Sequence, residues 1–483
     1  MKKRDFILFY LNGERHEVRN DDCGLMLSEY LRIVKNLTGT KIVCAEGDCG
    51  ACSVLRYFPY SAKKENIFLP INSCIATVAQ MDGSSLITVE ALGFTPVQRA
   101  MVNCHGSQCG FCTPGFVMAL TGLVEKKICS KNISANLTAQ ESKNALTGNL
   151  CRCTGYQPII DAAQSIDLTK YGSVNEKFLS APIKKDLLKN LKIPVEIKND
   201  DFYFMAPIKN LDAAKALSKK NQLLAAATDL GVVHNKRKIK LNQLVSLHMV
   251  SDLYQIKKTK NRLSVGARIT LAELRTQIKD LIPEFANFLD LFASPQIKNI
   301  ATLVGNVATA SPIADTPPFL LTMNTTVEIQ GPKSKRTVDL ESFFKGYRKI
   351  DLKPNELITR LNFDIPKKNE ILKLYKVSER KDMDISAINF ALRLSWSDQA
   401  QTEKNLQIKD LKIAVGGVAA TTLRLYKTEK FLINKSPTAE NLEKAAEIIH
   451  QEIAPLSDLR ASDSFRHIVA ENLFHKFFRE INI

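Results

Sequence analysis

The sequence predicts an α+β protein of several domains, and three observations lead to this prediction. The chain has 483 residues, a length that usually accommodates two to four domains. Hydrophobic residues make up 45% of it, as is ordinary for a folded protein. Blocks of strand-like and helix-like sequence follow one another, and all eleven cysteines lie at or before Cys153. The first third therefore carries a chemistry that the remainder lacks.

The N-terminal third begins with short strands and continues with helices. The stretch RDFILFYLNGERHEVR predicts a hairpin turning at Asn12-Gly13, because this dipeptide accepts the positive φ angles of a two-residue turn. GLMLSEYLRIVKN has apolar residues at helical spacing. From about residue 95 to 165 the pattern is helical. Pro114 lies in the first turn of one predicted helix, where its missing N–H costs nothing.

The rest of the chain reads as a loop, a linker and mixed α/β structure. Residues 125–147 are polar and predict a loop, and residues 166–198 predict a linker. A mixed α/β region follows to about residue 370. The last hundred residues start with strand-like alternation (INFALRLSW, LKIAVGGVAA) and end in amphipathic helices (AENLEKAAEIIHQEI, HIVAENLFHKFFREI).

Charge and hydropathy argue against two classes of partner. The formal net charge is +17, but the lysines are dispersed and no helix-turn-helix or zinc-finger spacing occurs, so we expect no nucleic acid partner. No apolar run approaches the roughly 18 residues that span a bilayer. The apolar patch at the start is too short for a secretory signal. We therefore expect a cytoplasmic protein with no membrane partner.

The stretch CAEGDCGACS carries three cysteines, and a fourth follows downstream. These four residues are called the first cysteine set: Cys44, Cys49, Cys52 and Cys74. C-x4-C-x2-C with a distant cysteine is the plant-type [2Fe–2S] spacing, whereas zinc usually takes two close pairs of ligands. Gly47 and Gly50 let the loop wrap tightly and aim N–H groups inward. The spacing predicts a [2Fe–2S] cluster, with zinc or buried free thiols as alternatives.

A second group of four cysteines lies in SQCGFCTPG and GNLCRCTGYQP. These residues are called the second cysteine set: Cys109, Cys112, Cys151 and Cys153. Each pair precedes a predicted helix, and helix N-termini stabilise thiolates and anionic clusters. Spacing alone leaves a zinc site and a [2Fe–2S] cluster equally open. We interpret the remaining three cysteines as small buried or partly exposed thiols: Cys23, Cys104 and Cys129.

Two later segments are rich in small residues, LLAAATDLGV and FASPQIKNIATLVGNVATASPIAD. The first predicts a strand and then a turn at Thr228-Asp229. In the second, Gly305-Asn306 can turn sharply and present N–H groups to an anion, although a tightly packed turn is the alternative. The chain contains neither the G-x-G of a Rossmann fingerprint nor the G-x-x-x-x-G-K of a Walker loop, so neither motif is available. Any dinucleotide would need another fold.

The motifs CAEGDCGACSV, INSC, CGFCTPG and CRCTGY resemble the iron–sulfur part of the xanthine dehydrogenase/aldehyde oxidase family of molybdenum hydroxylases. The resemblance implies a ferredoxin-like β-grasp domain (1–82) and a helical domain (83–165), each holding a [2Fe–2S] cluster on its cysteine set. It places Gln108 near a molybdopterin. The small-residue segments resemble the family's non-Rossmann α+β FAD-binding domain (199–371). The tail resembles its C-terminal α/β flavoprotein domain (372–483), like that of CO dehydrogenase.

The same resemblance implies which residues meet the flavin. Tyr347 matches a catalytic tyrosine beside the flavin on the nicotinamide side. The family often has Gly-Gly where this chain has Ala226-Ala227, which puts the diphosphate contacts in question. The loop SERKD matches a segment that helps to set NAD+ versus O2 as oxidant, or is a solvated charged turn. FAD would be lined by Leu224, Ala225, Ala226, Ala227, Thr228, Asp229, Leu230, Gly231, Phe292, Thr302, Gly305, Asn306, Asp315, Ile358 and Lys376.

By resemblance, the chain is an oxidoreductase subunit that passes electrons from molybdenum through the second-set cluster, the first-set cluster and FAD to NAD+. It ends at Ile483, where the family's molybdenum half would begin, so a molybdopterin-binding large subunit is the expected partner. The expected assembly is a heterotetramer of two small and two large subunits. Oxidation of hypoxanthine and xanthine is the expected activity. The alternatives are a subunit of an aldehyde, nicotinate or other heterocycle hydroxylase and, more distantly, a zinc-bearing interaction protein.

Overall fold

A computed structural model describes residues 3–62, 67–130, 136–397 and 406–483. The chain divides into two compact units. The first comprises Met1–Gln255, Arg268–Glu273 and Ala293–Thr302, and the second comprises Ile256–Ala267, Leu274–Phe292 and Leu303–Ile483. Among the described helices, none combines the length and the apolar character needed to cross a bilayer.

The first unit starts with a five-stranded mixed sheet. Its strands in spatial order are Glu14–Val18, Ile7–Leu11, Ser85–Ile87, Ser53–Tyr57 and Leu69–Asn72. The predicted hairpin is confirmed, since Leu11 pairs with Glu14 across Asn12 and Gly13, whose φ angles are 56° and 91°. Short helical turns fill the connections: Asn20–Gly24, Leu27–Glu29, Tyr30–Val34, Ser73–Ile75, Val78–Met81 and Val89–Ala91.

Four helices follow the first sheet: Pro96–Asn103, Thr113–Cys129, Ala139–Leu146 and Gln157–Gln164. Pro114 lies in the first turn of the second helix, as predicted. The loop predicted over 125–147 is wrong at residues 125–129 and 139–146, which are helical; residues 131–135 lie outside the described ranges. Thr138 caps this helix by accepting from the Glu141 N–H at 3.1 Å, and the Glu141 carboxylate accepts from the Thr138 N–H at 2.9 Å.

The segment predicted to be a linker, 166–198, is built of regular elements: Leu168–Lys170, Val174–Phe178, Ala181–Asn190 and Val195–Lys198. The last of these joins a four-stranded sheet in the order Val195–Lys198, Tyr203–Ala206, Gln243–Ser246, Gln222–Leu224. Helices Asn210–Ala216, Thr228–Asn235 and Pro295–Lys298 and the turn Ser251–Tyr254 complete the unit. The strand predicted at the start of LLAAATDLGV is present as Gln222–Leu224, but Thr228-Asp229 begins a helix where a turn was predicted.

The second unit contains two larger antiparallel sheets. One has the order Ile256–Lys258, Arg262–Gly266, Leu357–Asp364, Thr326–Gln330, Lys335–Asp339, and the other Glu370–Val377, Ile388–Trp396, Ile408–Gly416, Leu423–Arg424. A small hairpin pairs Phe344–Gly346 with Lys349–Ile350. The helices are Pro283–Leu291, Leu303–Ala308, Pro317–Thr322, Leu340–Phe343, Tyr426–Leu432, Ala439–Glu452 and Asp463–Glu480, while Leu271–Ile278 has residues in both units. The strands and helices predicted for the last hundred residues are confirmed.

A buried charged network ties together distant parts of the first unit. Arg4 donates to both Asp82 carboxylate oxygens, at 2.8 and 2.9 Å, and Asp82 also accepts from the Leu8 N–H at 2.8 Å. His248 Nε2 lies 3.2 Å from the same carboxylate. Burial works to raise the pKa of Asp82, but Arg4 and His248 outweigh it and lower that pKa from 3.8 to about 2. The carboxylate therefore adds stability that is present above pH 4 and is lost as the pH falls toward 2.

Replacing Asp82 by alanine should strongly destabilise the first unit. Arg4 would then be a buried cation without its partner, which costs about 3–5 kcal/mol. We expect a lower midpoint in urea unfolding followed by far-UV circular dichroism. The matched control is Lys3→Gln, which breaks the half-exposed pair between Lys3 and Glu196 and should cost less than about 1 kcal/mol. Equal midpoints for the two variants would contradict the prediction.

Candidate functional site

The first cysteine set converges in a mostly buried pocket of the first unit. Cys52 and Cys74 are almost inaccessible, Cys49 is buried and Cys44 is half-buried. Cys44 lies within hydrogen-bonding reach of Cys49 and Cys74, and Cys52 lies within reach of Cys74. Thiol hydrogen bonds from Cys49 and Cys74 lower the pKa of Cys44, so this group favours the thiolate that ligates metals.

Backbone amides point at the sulfur atoms of this set. The Glu46 N–H donates to Cys44 Sγ at 3.4 Å, and the N–H groups of Ser73 and Cys74 are directed at Cys52. Gly47 and Gly50 have φ angles of 75° and 68°, so the tight wrap expected of them is present. Four convergent thiols supplied with N–H donors fit a cluster that carries negative charge on its sulfur atoms.

The second cysteine set forms two sulfur pairs, each with one member from each motif. Cys153 Sγ and Cys109 Sγ are 3.4 Å apart, and Cys112 lies within hydrogen-bonding reach of Cys151. Burial raises the pKa of Cys112 to about 12. Burial also works to raise the pKa of Cys151, but hydrogen bonds from Thr154 outweigh it and lower that pKa to about 7. Four thiols can ligate either zinc or a [2Fe–2S] cluster, so the donor atoms alone do not distinguish these two kinds of site.

The loops of the two cysteine sets are in direct backbone contact. The Leu150 N–H donates to the Cys49 carbonyl at 3.0 Å. A Cβ added at Gly50 would come within 3.0 Å of the Gly148 carbonyl oxygen, and one added at Gly115 would come equally close to the Gly50 carbonyl oxygen. Only glycine permits such an approach. Because Gly115 follows Cys112 by three residues, these glycines bring the two sets close together.

A helix from later in the chain, Thr228–Asn235, also packs against the first cysteine set. Asn235, at the end of helix Thr228–Asn235, donates to the Ala45 and Cys74 carbonyls at 2.7 and 2.8 Å. Gly231 lies so close to the Ile75 carbonyl that a Cβ would not fit. Val232 packs against Cys52, Cys74 and Ile75. The segment predicted to meet the flavin is thus part of the wall around the first cysteine set.

The start of this helix suits an anionic ligand. Ala227 precedes it with a φ of 59°, the left-handed region where glycine is usual, and supplies no side-chain cap. The first-turn amides therefore have no capping side chain, which is the arrangement that binds phosphate groups. Arg268 donates to the Ala225 carbonyl, and Gln80 donates to the Ala226 carbonyl at 2.9 Å. The backbone at 224–231 therefore fits a diphosphate despite its alanines.

The other residues predicted to line FAD are divided between the units. Thr302 is buried in the first unit and bridges to Thr270. In the second unit, Lys376 donates to Asp315 at 2.8 Å, and this buried carboxylate also accepts from Ser386 at 2.5 Å. The remaining residues also belong to the second unit. Phe292 follows helix Pro283–Leu291, and Gly305 and Asn306 lie within helix Leu303–Ala308. Ile358 is buried in strand Leu357–Asp364, and Tyr347, which is 62% exposed, lies between the two strands of the small hairpin.

Several polar residues around these sites carry no local sequence signal. Gln296 donates to the Asn149 side chain at 2.8 Å, beside Gly50, although the two residues are far apart in sequence. Asn235 and Arg268 likewise act on distant carbonyl groups. Gln108 is exposed next to the second cysteine set. Isolated amide or guanidinium side chains of this kind cannot be distinguished from ordinary polar residues until the fold is known.

Three family models match the chain. Residues 88–164 match a [2Fe-2S] binding domain. Residues 199–368 match the FAD binding domain in molybdopterin dehydrogenase, and residues 373–481 match the CO dehydrogenase flavoprotein C-terminal domain. The first match supports the iron–sulfur interpretation of the second cysteine set over zinc.

Curated relatives align along almost the whole chain. Xanthine dehydrogenase 1 of Arabidopsis thaliana is 30% identical, with 98% of this chain and 39% of the relative covered. The xanthine dehydrogenase of Emericella nidulans is 29% identical and aldehyde oxidase 1 of Bos taurus 28% identical, each match covering 99% of this chain and 39% of the relative. The chain thus spans about two fifths of the length of these relatives.

Solved structures share the fold of a little over half of the chain. Carbon monoxide dehydrogenase from Hydrogenophaga pseudoflava aligns with a TM-score of 0.53 at 22% identity, covering 58% of this chain and 96% of that chain. Quinoline 2-oxidoreductase from Pseudomonas putida 86 aligns with a TM-score of 0.52 at 24% identity, covering 58% of this chain and 96% of that chain.

Together, the domain models and the geometry define an iron–sulfur flavoprotein of the oxidoreductase class. More specifically, the chain belongs to the xanthine dehydrogenase/aldehyde oxidase family of molybdenum hydroxylases and corresponds to its electron-transferring iron–sulfur and FAD region.

Proposed function

We propose that this chain carries electrons from a molybdopterin-binding partner subunit, which oxidises hypoxanthine or xanthine, to NAD+. The observation that carries the proposal is the order of contacts in the first unit. The second cysteine set touches the first through Leu150 and Cys49, and the first touches helix Thr228–Asn235 through Cys74 and Asn235. This order supports a route from one cluster to the next and then to the flavin. We also propose the domain boundaries predicted from the sequence and a cytoplasmic location.

The chain's residues hold and insulate the cofactors. Each cysteine set would ligate one [2Fe–2S] cluster, and the residues predicted to line FAD would hold the flavin. A [2Fe–2S] cluster exchanges single electrons, and a flavin exchanges either single electrons or a hydride. Burial of Cys52 and Cys74 would exclude water from the first cluster, while the N–H groups around them would stabilise its charge. Tyr347 is the residue that we propose lies beside the nicotinamide.

Two observations support a separate molybdopterin-binding partner. In the aligned carbon monoxide dehydrogenase, the matching region makes up 96% of a chain of its own. In this chain, large apolar side chains are exposed within residues 94–156, the part that contains the second cysteine set: Phe94, Val102, Phe111, Leu150 and Tyr156. Such side chains are common at protein interfaces, so we propose that the partner covers this face. A heterotetramer of two small and two large subunits is part of the proposal.

A related hydroxylase activity is the second candidate. Bovine aldehyde oxidase 1 is nearly as similar as the plant xanthine dehydrogenase, at 28% against 30% identity. In an enzyme whose molybdopterin-binding part is a separate subunit, that subunit would determine the substrate. An aldehyde, nicotinate or another heterocycle could therefore replace the purine without any change in the role of this chain.

Anaerobic reduction of the purified chain and of its complex tests the proposal. The chain alone should be brown, contain iron, acid-labile sulfide and FAD, and be bleached by NADH. The complex should also be bleached by xanthine, and NAD+ should reverse this. Bleaching of the complex by an aldehyde but not by xanthine would favour the second candidate. A colourless chain that binds zinc in place of iron after reconstitution would overturn both.

A further inference from the structure

Two helices at the C-terminal end of the chain bring together side chains that no step of the proposed electron route uses. His450 lies on helix Ala439–Glu452, and His467 and Glu471 lie on helix Asp463–Glu480. One potential ligand atom from each of these three side chains lies within 4.8 Å of the other two. His467 and Glu471 are four residues apart and so project from the same face of their helix.

These three side chains lie close together, but one of their buried polar atoms has no hydrogen-bond partner among the described residues. His450 Nδ1 is 2.5 Å from Glu471 Oε1, and the rings of His450 and His467 stack with centroids 4.2 Å apart. His467 Nδ1 is buried and, among the described residues, has no hydrogen-bond partner. Buried polar atoms are nearly always satisfied, so this nitrogen is an exception that requires an explanation. The His450 side chain is 58% exposed, so the cluster is accessible from solvent.

We propose that His450, His467 and Glu471 bind a divalent transition-metal ion, with Zn2+ as the best match. Two imidazoles and one carboxylate suit zinc, and the fourth position of the tetrahedron would hold water. Ligands about 2.0–2.2 Å from zinc lie roughly 3.3 Å apart, so the His450–Glu471 pair must open slightly. The exposed side chain of His450 can rotate to allow this. The bound ion would link the two helices and stabilise the end of the second unit.

Equilibrium dialysis of the full chain against Zn2+, with its iron–sulfur clusters and flavin in place, tests the proposal. After treatment with a chelator, zinc and iron are measured in the same sample. The parent chain should take up about one zinc without losing iron. His450→Gln and His467→Gln should each weaken zinc binding by at least about 10–100-fold, the loss typical even of outer-shell partners. His450 is exposed, so its variant should fold normally even if the His467 variant does not.

His475→Gln is the matched control, because His475 lies two turns further along the same face as His467 and is outside the cluster. It should bind zinc like the parent. Zinc X-ray absorption of the loaded chain should show nitrogen and oxygen neighbours only. Equal zinc uptake by the parent and the His450 variant would overturn the proposal. Sulfur neighbours would do the same, since they would place the ion on a cysteine set.

Discussion

We expect the replacement of Cys112 by serine to remove the cluster proposed for the second cysteine set and, in the proposed assembly, to stop purine-dependent reduction of NAD+. Cys112 pairs with Cys151 at the start of helix Thr113–Cys129, so its loss would leave one iron of the proposed cluster without a soft ligand. A serine hydroxyl does not ionise near neutral pH and is a poor replacement. About half of the iron should be lost, since each cluster contains two iron atoms. Iron analysis and steady-state turnover of the assembled enzyme measure the two effects.

The flavin provides an internal control in the same variant. NADH should still reduce it at the parent rate, because in the proposed order the flavin is joined to the first cysteine set and not to the second. Cys104→Ser is the matched control: Cys104 packs against the same hydrophobic core and contacts Ser165 at 3.5 Å, but belongs to neither set. It should keep all its iron and its turnover. Normal xanthine-to-NAD+ turnover by the Cys112 variant would rule out the relay.

Local chemistry made several elements predictable from the sequence. Asn12-Gly13 accepts positive φ at both positions, so the first hairpin followed from two residues. The spacing of the first cysteine set predicted a [2Fe–2S] cluster, whereas the spacing of the second set left zinc and a [2Fe–2S] cluster equally open. The helix Ala139–Leu146 was missed because AQESKNAL shows little apolar pattern. Its signal was the capping pair Thr138 and Glu141, which marks a helix start without any apolar stripe.

Contacts between distant segments could not be predicted. Nothing in the sequence around Gly50, Gly115 or Gly148 indicates that the three meet, since each is an ordinary glycine in its own segment. The presence of Ala226-Ala227 where the family often has Gly-Gly is likewise explained only by the backbone conformation. Ala227 adopts the left-handed conformation that a glycine would take more readily, so the local shape is kept at a cost of about 1–2 kcal/mol.

Replacing Gly115 by alanine tests how closely the two cysteine sets are joined. In a helix, glycine to alanine normally stabilises a protein by about 1 kcal/mol. Here the added Cβ would come within 3.0 Å of the Gly50 carbonyl oxygen, a backbone atom that cannot rotate away. Overpacking of this kind costs about 1–3 kcal/mol, so we expect the sign of the effect to reverse. The midpoint of urea unfolding of the first unit measures it.

The same substitution should also slow electron flow, because relief of the clash moves helix Thr113–Cys129 away from the loop of the first cysteine set. Rapid mixing with xanthine should then show slower reduction of the flavin in the assembled enzyme, while NADH reduces it as before. Gly172→Ala is the matched control, since a Cβ at that position meets nothing within 4 Å. A Gly115 variant more stable than the parent, with unchanged flavin reduction, would show that the two loops are not in backbone contact, and the direct route between the clusters would lose its structural support.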